Sequence, residues 1–218
     1  MPIIRIDSTP STNLYLKELL ESDTLSEGAV VVTDDQTAGR GQAGTHWESE
    51  PNKNLTFSLL LCPDFLPIHS HFLLSKVVAL GLADSLREHT GEGLSIKWPN
   101  DIYYKDKKLV GILIENKITG SVISHSVIGI GVNVNQTRFV SDAPNPVSLR
   151  NITGQEVSAE ELLFETLRAI ELRYRLLKSG DYDKIGHDYF ASLYRKDGYH
   201  TFCDKNGRFQ AAVEAVDN

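Results

Sequence analysis

Cysteine is scarce: the 218 residues hold two, Cys62 and Cys203. They lie far apart, and neither has metal-ligand spacing to the other or to a histidine. A disulfide scaffold is therefore excluded, and free thiols in a reducing, cytoplasmic compartment are expected. A chain of this length buries ~70% of its unfolded surface, so it needs no cross-link to be stable. Long hydrophobic runs are also lacking. Met1 leads into Pro-Ile-Ile-Arg-Ile-Asp with no basic region followed by an apolar stretch, so neither a signal peptide nor a membrane span is expected. Basic residues are in deficit, 22 against 29 acidic ones, for a net charge of −7 and a pI near 5.5. That balance argues against nonspecific nucleic-acid binding, which needs Lys and Arg to neutralise phosphates. A small nucleotide needs only a local positive pocket and is not excluded. There are no internal repeats and no low-complexity tracts.

What the chain does have is a glycine-rich stretch, Ala38-Gly39-Arg40-Gly41-Gln42-Ala43-Gly44-Thr45-His46-Trp47. Glycine permits positive φ and close approach of backbone to a ligand, at an entropic cost when the loop orders. Gly39-x-Gly41-x-x-Gly44 matches the dinucleotide pattern, but that fold needs a helix directly afterwards, and Thr45 to Pro51 cannot supply one. A Walker loop needs Gly-Lys-Ser/Thr, and here Gly44 is followed by Thr45-His46. His-Arg-Asp and Asp-Phe-Gly elements of a protein kinase are absent. Either an anion-binding loop of another kind or a plain surface turn is left.

The order of elements predicts an α+β fold with a mixed, largely antiparallel sheet flanked by helices. Ile3 to Ile6 alternates as a strand, and Leu14, Leu16, Leu19 and Leu20 form the stripe of a helix. Gly28 to Thr33 and Leu55 to Leu61 read as buried strands. Phe72 to Leu86 reads as a helix apolar on most sides, in which Gly81 weakens the helix or allows close packing. Leu94 to Trp98, Ile102 to Tyr104, Lys108 to Ile118 and Gly120 to Asn133 form a meander with short turns. Ser141 to Pro146 is a proline-bearing loop. Ser158-Ala159-Glu160-Glu161 resembles a capping box opening a helix to Lys178, and a short helix follows from Asp183 to Leu193. The last strands, Thr201 to Cys203 and Arg208 to Val216, form a hairpin marginal on its own. The division expected is 1–192 for the main domain and 193–218 for the start of a small β domain.

Three further clusters could carry chemistry, each with a plain structural alternative. Ser11-Thr12-Asn13 either caps the first helix or faces a polar ligand. In Lys97-Trp98-Pro99-Asn100-Asp101, the lysine is either a solvated strand end or a cation reaching an anionic site. Gly129-Ile130-Gly131-Val132-Asn133 marks close approach, of packed structure or of a ligand.

Taken in order with Gln36, Trp47 and Lys108-Leu109-Val110-Gly111-Ile112-Leu113-Ile114-Glu115, these motifs resemble the catalytic domain of biotin–protein ligases. The resemblance covers roughly residues 3 to 190. It implies the class II synthetase-like biotin/lipoate ligase fold, with the C-terminal hairpin opening an SH3-like domain. It also implies a two-step reaction: biotin and MgATP form biotinyl-5′-AMP, and a lysine of a biotin carboxyl-carrier domain then takes the biotin. By resemblance, the biotin site comprises Ser11, Thr12, Asn13, Gln36, Gly39, Arg40, Lys108, Gly111 and Leu113. The adenylate site comprises Gly41, Gln42, Trp47, Lys97, Asn100, Asp101, Gly129, Gly131 and Asn133. Lys108 and Arg40 are the implied catalytic residues, Asn100 and Asp101 the implied Mg²⁺ contacts, and backbone N–H groups of the glycine loop hold phosphate beside Arg40. ATP, Mg²⁺ and biotin enter as substrates, and no prosthetic group is implied.

Two departures bear on function. Many family members carry a second and third arginine in the loop, where this chain has Gln42 and Thr45, so looser retention of the adenylate is expected. Some relatives carry an N-terminal helix-turn-helix domain; this sequence opens at the catalytic strand, and no DNA binding is expected. Strand addition at an exposed sheet edge would give a homodimer. A lipoate or octanoate transferase on the same fold is the alternative enzyme, against which Lys97 to Asp101 argues. A biotin-sensing module would need the polar end of the site but no lysine at 108.

Overall fold

The computed structural model describes residues 2–22, 25–141 and 143–216; Asp142, inside the expected proline-bearing loop, lies outside them. Nine strands and five helices follow in the order β1 (Ile3–Thr9), α1 (Thr12–Ser22), β2 (Val30–Gln36), β3 (Leu55–Leu61), α2 (Phe72–Thr90), β4 (Leu94–Lys97), β5 (Asp101–Tyr104), β6 (Lys107–Thr119), β7 (Val122–Val132), α3 (Leu149–Thr153), α4 (Ala159–Lys178), α5 (Tyr182–Ala191), β8 (His200–Asp204) and β9 (Gly207–Ala211) among the described residues. The first seven strands form one sheet ordered β1-β2-β3-β7-β6-β5-β4. β1 runs parallel to β2, and every other neighbouring pair is antiparallel, as the sequence pattern implies.

The two faces of the sheet differ because strand side chains alternate. Leu55, Phe57, Leu59 and Leu61 point to one face, where they join α2, α4 and α5 in the main core. Helix α2 is buried along most of its length, with Leu74, Val77, Val78, Leu80 and Leu82 fully enclosed. Gly81 supports close packing: a Cβ there would lie 2.7 Å from Ile170 Cα of α4. On the other face α1 seats Leu16 on Val31, Leu60 and Val127, a smaller cluster. This short helix covers only part of that face, and the uncovered part becomes a cleft.

The expected meander opens at Trp98-Pro99-Asn100, which reverses the chain so that β5 pairs with β4 as a hairpin. Other local expectations need correction. The capping box expected at Ser158 is half formed: Ser158 Oγ accepts from Glu161 N–H at 3.2 Å, and no return bond from Ser158 N–H to the Glu161 carboxylate is made among the described residues. The reciprocal box stands instead at Ser148 and Asn151. The β4 edge is not open, because Ile96 N–H donates to Ser192 O at 2.8 Å and Tyr194 N–H donates to Ile96 O at 2.9 Å. The terminal hairpin pairs as expected, although β9 stops at Ala211. Beyond it Val213 and Val216 reach back to the main core. Among the described residues no helix is long and apolar enough to cross a membrane.

Candidate active site

Cross-strand register builds the cleft floor. One row runs Thr33–Thr56–Gly131–Gly111–Asp101–Lys97 across six strands. The next runs Val31–Ser58–Gly129–Leu113. Residues in one row point to the same face, so three glycines stand where side chains would otherwise fill the surface. The resulting cavity measures about 360 Å³. Ser11, Thr12, Asn13 and Gln36 line one end, Trp47 and Lys108 the middle, and Lys97, Asn100 and Asp101 the other side.

The glycines serve the protein's own side chains before any ligand. A Cβ at Gly131 would lie 2.5 Å from Trp47 Cε2, and one at Gly111 2.8 Å from Trp47 Cζ3. The indole therefore rests flat on this glycine pair. Gly129 likewise makes room for Asn13, whose Oδ1 would lie 2.6 Å from an added Cβ. Trp47 Nε1 and Thr56 Oγ1 are buried without hydrogen-bond partners among the described residues.

Glycine-loop residues fold into a small hairpin. Arg40 bridges His46, Trp47 N–H donates to Gly39 O at 3.0 Å, and Gly41 N–H donates to Thr45 O at 2.7 Å. Gln42–Gly44 forms a 3-10 turn closed by Thr45 Oγ1 donating to Gln42 O at 2.8 Å. The backbone amides of Gly41 and Thr45 are thus engaged inside the loop. Gly39 contacts Gln36 and Trp47 and lines the outer side of the loop, not the cleft.

The polar end is a connected network. Thr12 N–H donates to Gln36 Oε1 at 3.0 Å. Ser58 Oγ lies 2.6 Å from Asn13 Oδ1 and 2.7 Å from Thr12 Oγ1. An amide oxygen can only accept, so the single Ser58 hydrogen goes to Asn13, and the Thr12 hydroxyl donates to Gln36 Oε1 at 3.3 Å. Asn13 Nδ2 donates to Glu115 Oε2 at 2.7 Å, and Lys17 Nζ donates to Glu115 Oε1 at 2.5 Å. Arg40 reaches the same carboxylate at 3.5 Å. Burial alone would push the Glu115 carboxyl up, but hydrogen bonds from Lys17 and Asn13 and the nearby positive charges hold it below the usual carboxylate range. The Ser11–Asn13 segment thus faces the cleft, whatever its part in starting α1.

Lys108 Nζ is fixed between two partners, 2.9 Å from Asp101 Oδ1 and 5.5 Å above the Trp47 ring. Asn100 is buried, and its Nδ2 donates to Ile112 O. The peptide between Trp98 and Pro99 is cis, and Tyr189 of α5 donates to Pro99 O at 3.3 Å, which sets this turn against the body. Lys97 Nζ donates to Tyr103 Oη at 3.0 Å at the cleft rim.

One implied role changes here. Asn133 does not line the cleft; it is buried, and its Nδ2 donates to Val147 O at 3.1 Å. The implied Mg²⁺ contacts Asn100 and Asp101 both line the cleft, where Asn100 Nδ2 donates to Ile112 O and Asp101 Oδ1 pairs with Lys108. Among the described residues no cluster of three His, Cys, Asp or Glu side chains could hold a metal. Sequence reasoning missed Thr56, Ser58 and Glu115. The signal for the first two was two polar residues at alternate positions in an otherwise apolar strand.

The sequence model of the Biotin/lipoate A/B protein ligase family matches residues 5–133. The chain is 34% identical over 178 residues to the bifunctional ligase/repressor BirA of Bacillus subtilis, covering 79% of this chain and 54% of that protein. It is 35% identical over 167 residues to the biotin–[acetyl-CoA-carboxylase] ligase of Paracoccus denitrificans, covering 74% and 67%. The chain therefore spans about half the length of the Bacillus relative. Its fold superposes on the biotin protein ligase from Aquifex aeolicus in complex with biotin and ATP with a TM-score of 0.83 at 28% identity, covering 99% of this chain and 88% of that one.

Proposed function

The chain belongs to the Biotin/lipoate A/B protein ligase family, and from that premise we propose that it activates biotin with ATP and transfers it to a lysine of a biotin carboxyl-carrier domain. The observation that carries this reading is the placement of Lys108. Its ammonium stands in the cleft between the Asp101 carboxylate and the Trp47 indole.

Biotin matches the polar end chemically. Its ureido group offers two N–H donors and one carbonyl acceptor, and Ser11, Thr12 and Gln36 answer with hydroxyls and an amide. The lipoyl dithiolane has neither donor nor carbonyl, so the same wall would go unanswered. A site built to hydrogen-bond a substrate rejects an analogue that lacks the group strongly. That favours biotin over lipoate or octanoate.

The biotin carboxylate oxygen attacks the α-phosphorus of ATP, and the bond to the β-phosphate oxygen breaks. Products are the acyl phosphate anhydride biotinyl-5′-AMP and pyrophosphate. Negative charge grows on the α-phosphoryl oxygens, and a fixed cation there stabilises the transition state more than the ground state. Lys108 supplies that cation, and Asp101 holds its ammonium in place. Arg40 is half-exposed on the glycine hairpin and can swing from Glu115 to phosphate. Mg²⁺ arrives with the nucleotide. The anhydride hydrolyses readily in water, so Trp47 and the hairpin act as a cover. In the second step an unprotonated lysine amine of the acceptor attacks the acyl carbon and releases AMP. With Gln42 and Thr45 bonded to each other instead of offering guanidinium groups, retention of the adenylate is looser than in an arginine-rich loop.

Biotin-dependent exchange of labelled pyrophosphate into ATP tests the reading directly. Wild type should exchange with biotin and not with lipoate. No exchange with biotin, or exchange with lipoate alone, overturns it.

A further inference from the structure

Glu48 follows Trp47 in the chain but does not line the cleft. Its carboxylate instead gathers donors from a segment 88 or more residues away in sequence. It accepts from Gln136 Nε2 at 2.9 Å, from Val140 N–H at 3.0 and 3.1 Å, and from Ser141 N–H at 2.8 Å. Buried Gln136 reinforces the join, because its Oε1 accepts from Glu50 N–H at 3.0 Å and from Asn54 Nδ2 at 2.6 Å.

The far end of the same segment is tied to Lys108. Lys108 N–H donates to Asn145 O at 2.8 Å, and Val147 N–H donates to Lys108 O at 3.0 Å. One segment therefore connects the residue next to Trp47 with the backbone of the lysine whose ammonium faces the Trp47 ring.

We propose that Glu48 is a positioning residue: its carboxylate clasps residues 136–141 to the Trp47 arm of the glycine hairpin and so fixes the indole over Gly111 and Gly131, opposite Lys108. It touches no reacting atom. Its geometric half stands on the hydrogen bonds alone. Its functional half rests on the ligase reading, in which the Trp47 and Lys108 region takes the nucleotide.

A carboxylate suits the role because two oxygens accept from several N–H groups at once, and bonds to a charged acceptor are stronger than neutral ones. Glu48→Gln keeps the shape but turns an NH₂ toward backbone donors. Glu48→Asp keeps the charge on a shorter arm and should give an intermediate result.

Three measurements on the full chain decide the matter. Without ligand, the amides of Val140 and Ser141 should exchange hydrogen about tenfold faster in Glu48→Gln, as for loss of one strong hydrogen bond, while β3 and β7 amides keep their rates. In a Trp98→Phe background, which leaves Trp47 as the single tryptophan, its emission should shift to longer wavelength. In pyrophosphate exchange, KM for ATP should rise about tenfold while KM for biotin and kcat change little. Unchanged amide exchange or an unchanged emission maximum overturns the clasp, even if wild type shows no ligase activity. Equal changes in both KM values, with the clasp loosened, overturn its selective coupling to the nucleotide region. Absence of exchange activity in wild type counts against the ligase reading and against the functional half together, and leaves the first two measurements decisive for the clasp.

Discussion

Replacing Gly131 with alanine tests the packing that forms the cleft. The residue lies in regular strand β7, opposite Gly111 and Thr56, so its backbone accepts alanine without strain and only the added methyl matters. That Cβ would lie 2.5 Å from Cε2 and 2.9 Å from Cζ2 of Trp47. Carbon atoms prefer separations of ~3.5–4.0 Å, so the indole must rise by roughly 1 Å or tilt. Overpacking of this kind costs ~1–3 kcal/mol when structure has to yield. Trp47 sits on a hairpin and not in the main core, so the ring moves before the sheet does. Global stability should change by less than ~1 kcal/mol, and ~1–2 kcal/mol should appear as weaker nucleotide binding, about a 5- to 30-fold rise in KM for ATP. The assay is pyrophosphate exchange, with urea unfolding measured beside it. In a Trp47→Ala background the clashing atoms are gone, and the same glycine substitution should then cost almost nothing. An equal cost in both backgrounds would refute the reasoning, as would a collapse of the urea midpoint.

Other expectations follow from the same structure. Lys108→Ala should lower kcat/KM for exchange about 10²- to 10³-fold, the usual loss when one transition-state charge donor is removed; activity within threefold of wild type would remove Lys108 from the chemistry. Gly81→Ala meets Ile170 backbone at 2.7 Å, which cannot swing aside, so ~1–3 kcal/mol of stability should be lost, read as a lower urea midpoint with KM values unchanged. The carboxyls of Glu27, Glu48, Glu115 and Asp188 are each held below their ordinary values, against a burial effect that would raise them. For a depressed carboxyl the stabilisation is present above the unfolded pKa and is lost as pH falls through the folded one. The urea midpoint should thus fall as pH drops below 4.5, the ordinary glutamate value, and Glu115→Gln should make that fall shallower. An identical acid profile in the variant would show that Glu115 contributes nothing to it.

The sequence by itself determined what depends on near neighbours and on composition. Period-two alternation in Ile3 to Ile6 and the apolar run of Leu55–Leu61 mark strands because alternation or full burial is a local property of the chain. Absence of a helix after Gly44 removed the dinucleotide reading for the same reason, and the Lys97–Asp101 and Lys108–Glu115 motifs carried the family resemblance. Tertiary structure decided which side chains meet. Ser58 and Glu115 became site residues only when α1 was laid over β3 and β6, joining Asn13 to both. Asn133 left the site because Val147, fourteen residues on, offers its amide a carbonyl. Asp101 became the partner of Lys108 through a hairpin whose register bulges between Ile102 and Tyr103. The glycine stretch shows the division most clearly. Three glycines beside an arginine are visible in the sequence, but the glycines that carry the Trp47 indole are Gly111 and Gly131. Those two stand 20 residues apart and face one another only through the pairing of β6 with β7, a long-range register that no local pattern encodes.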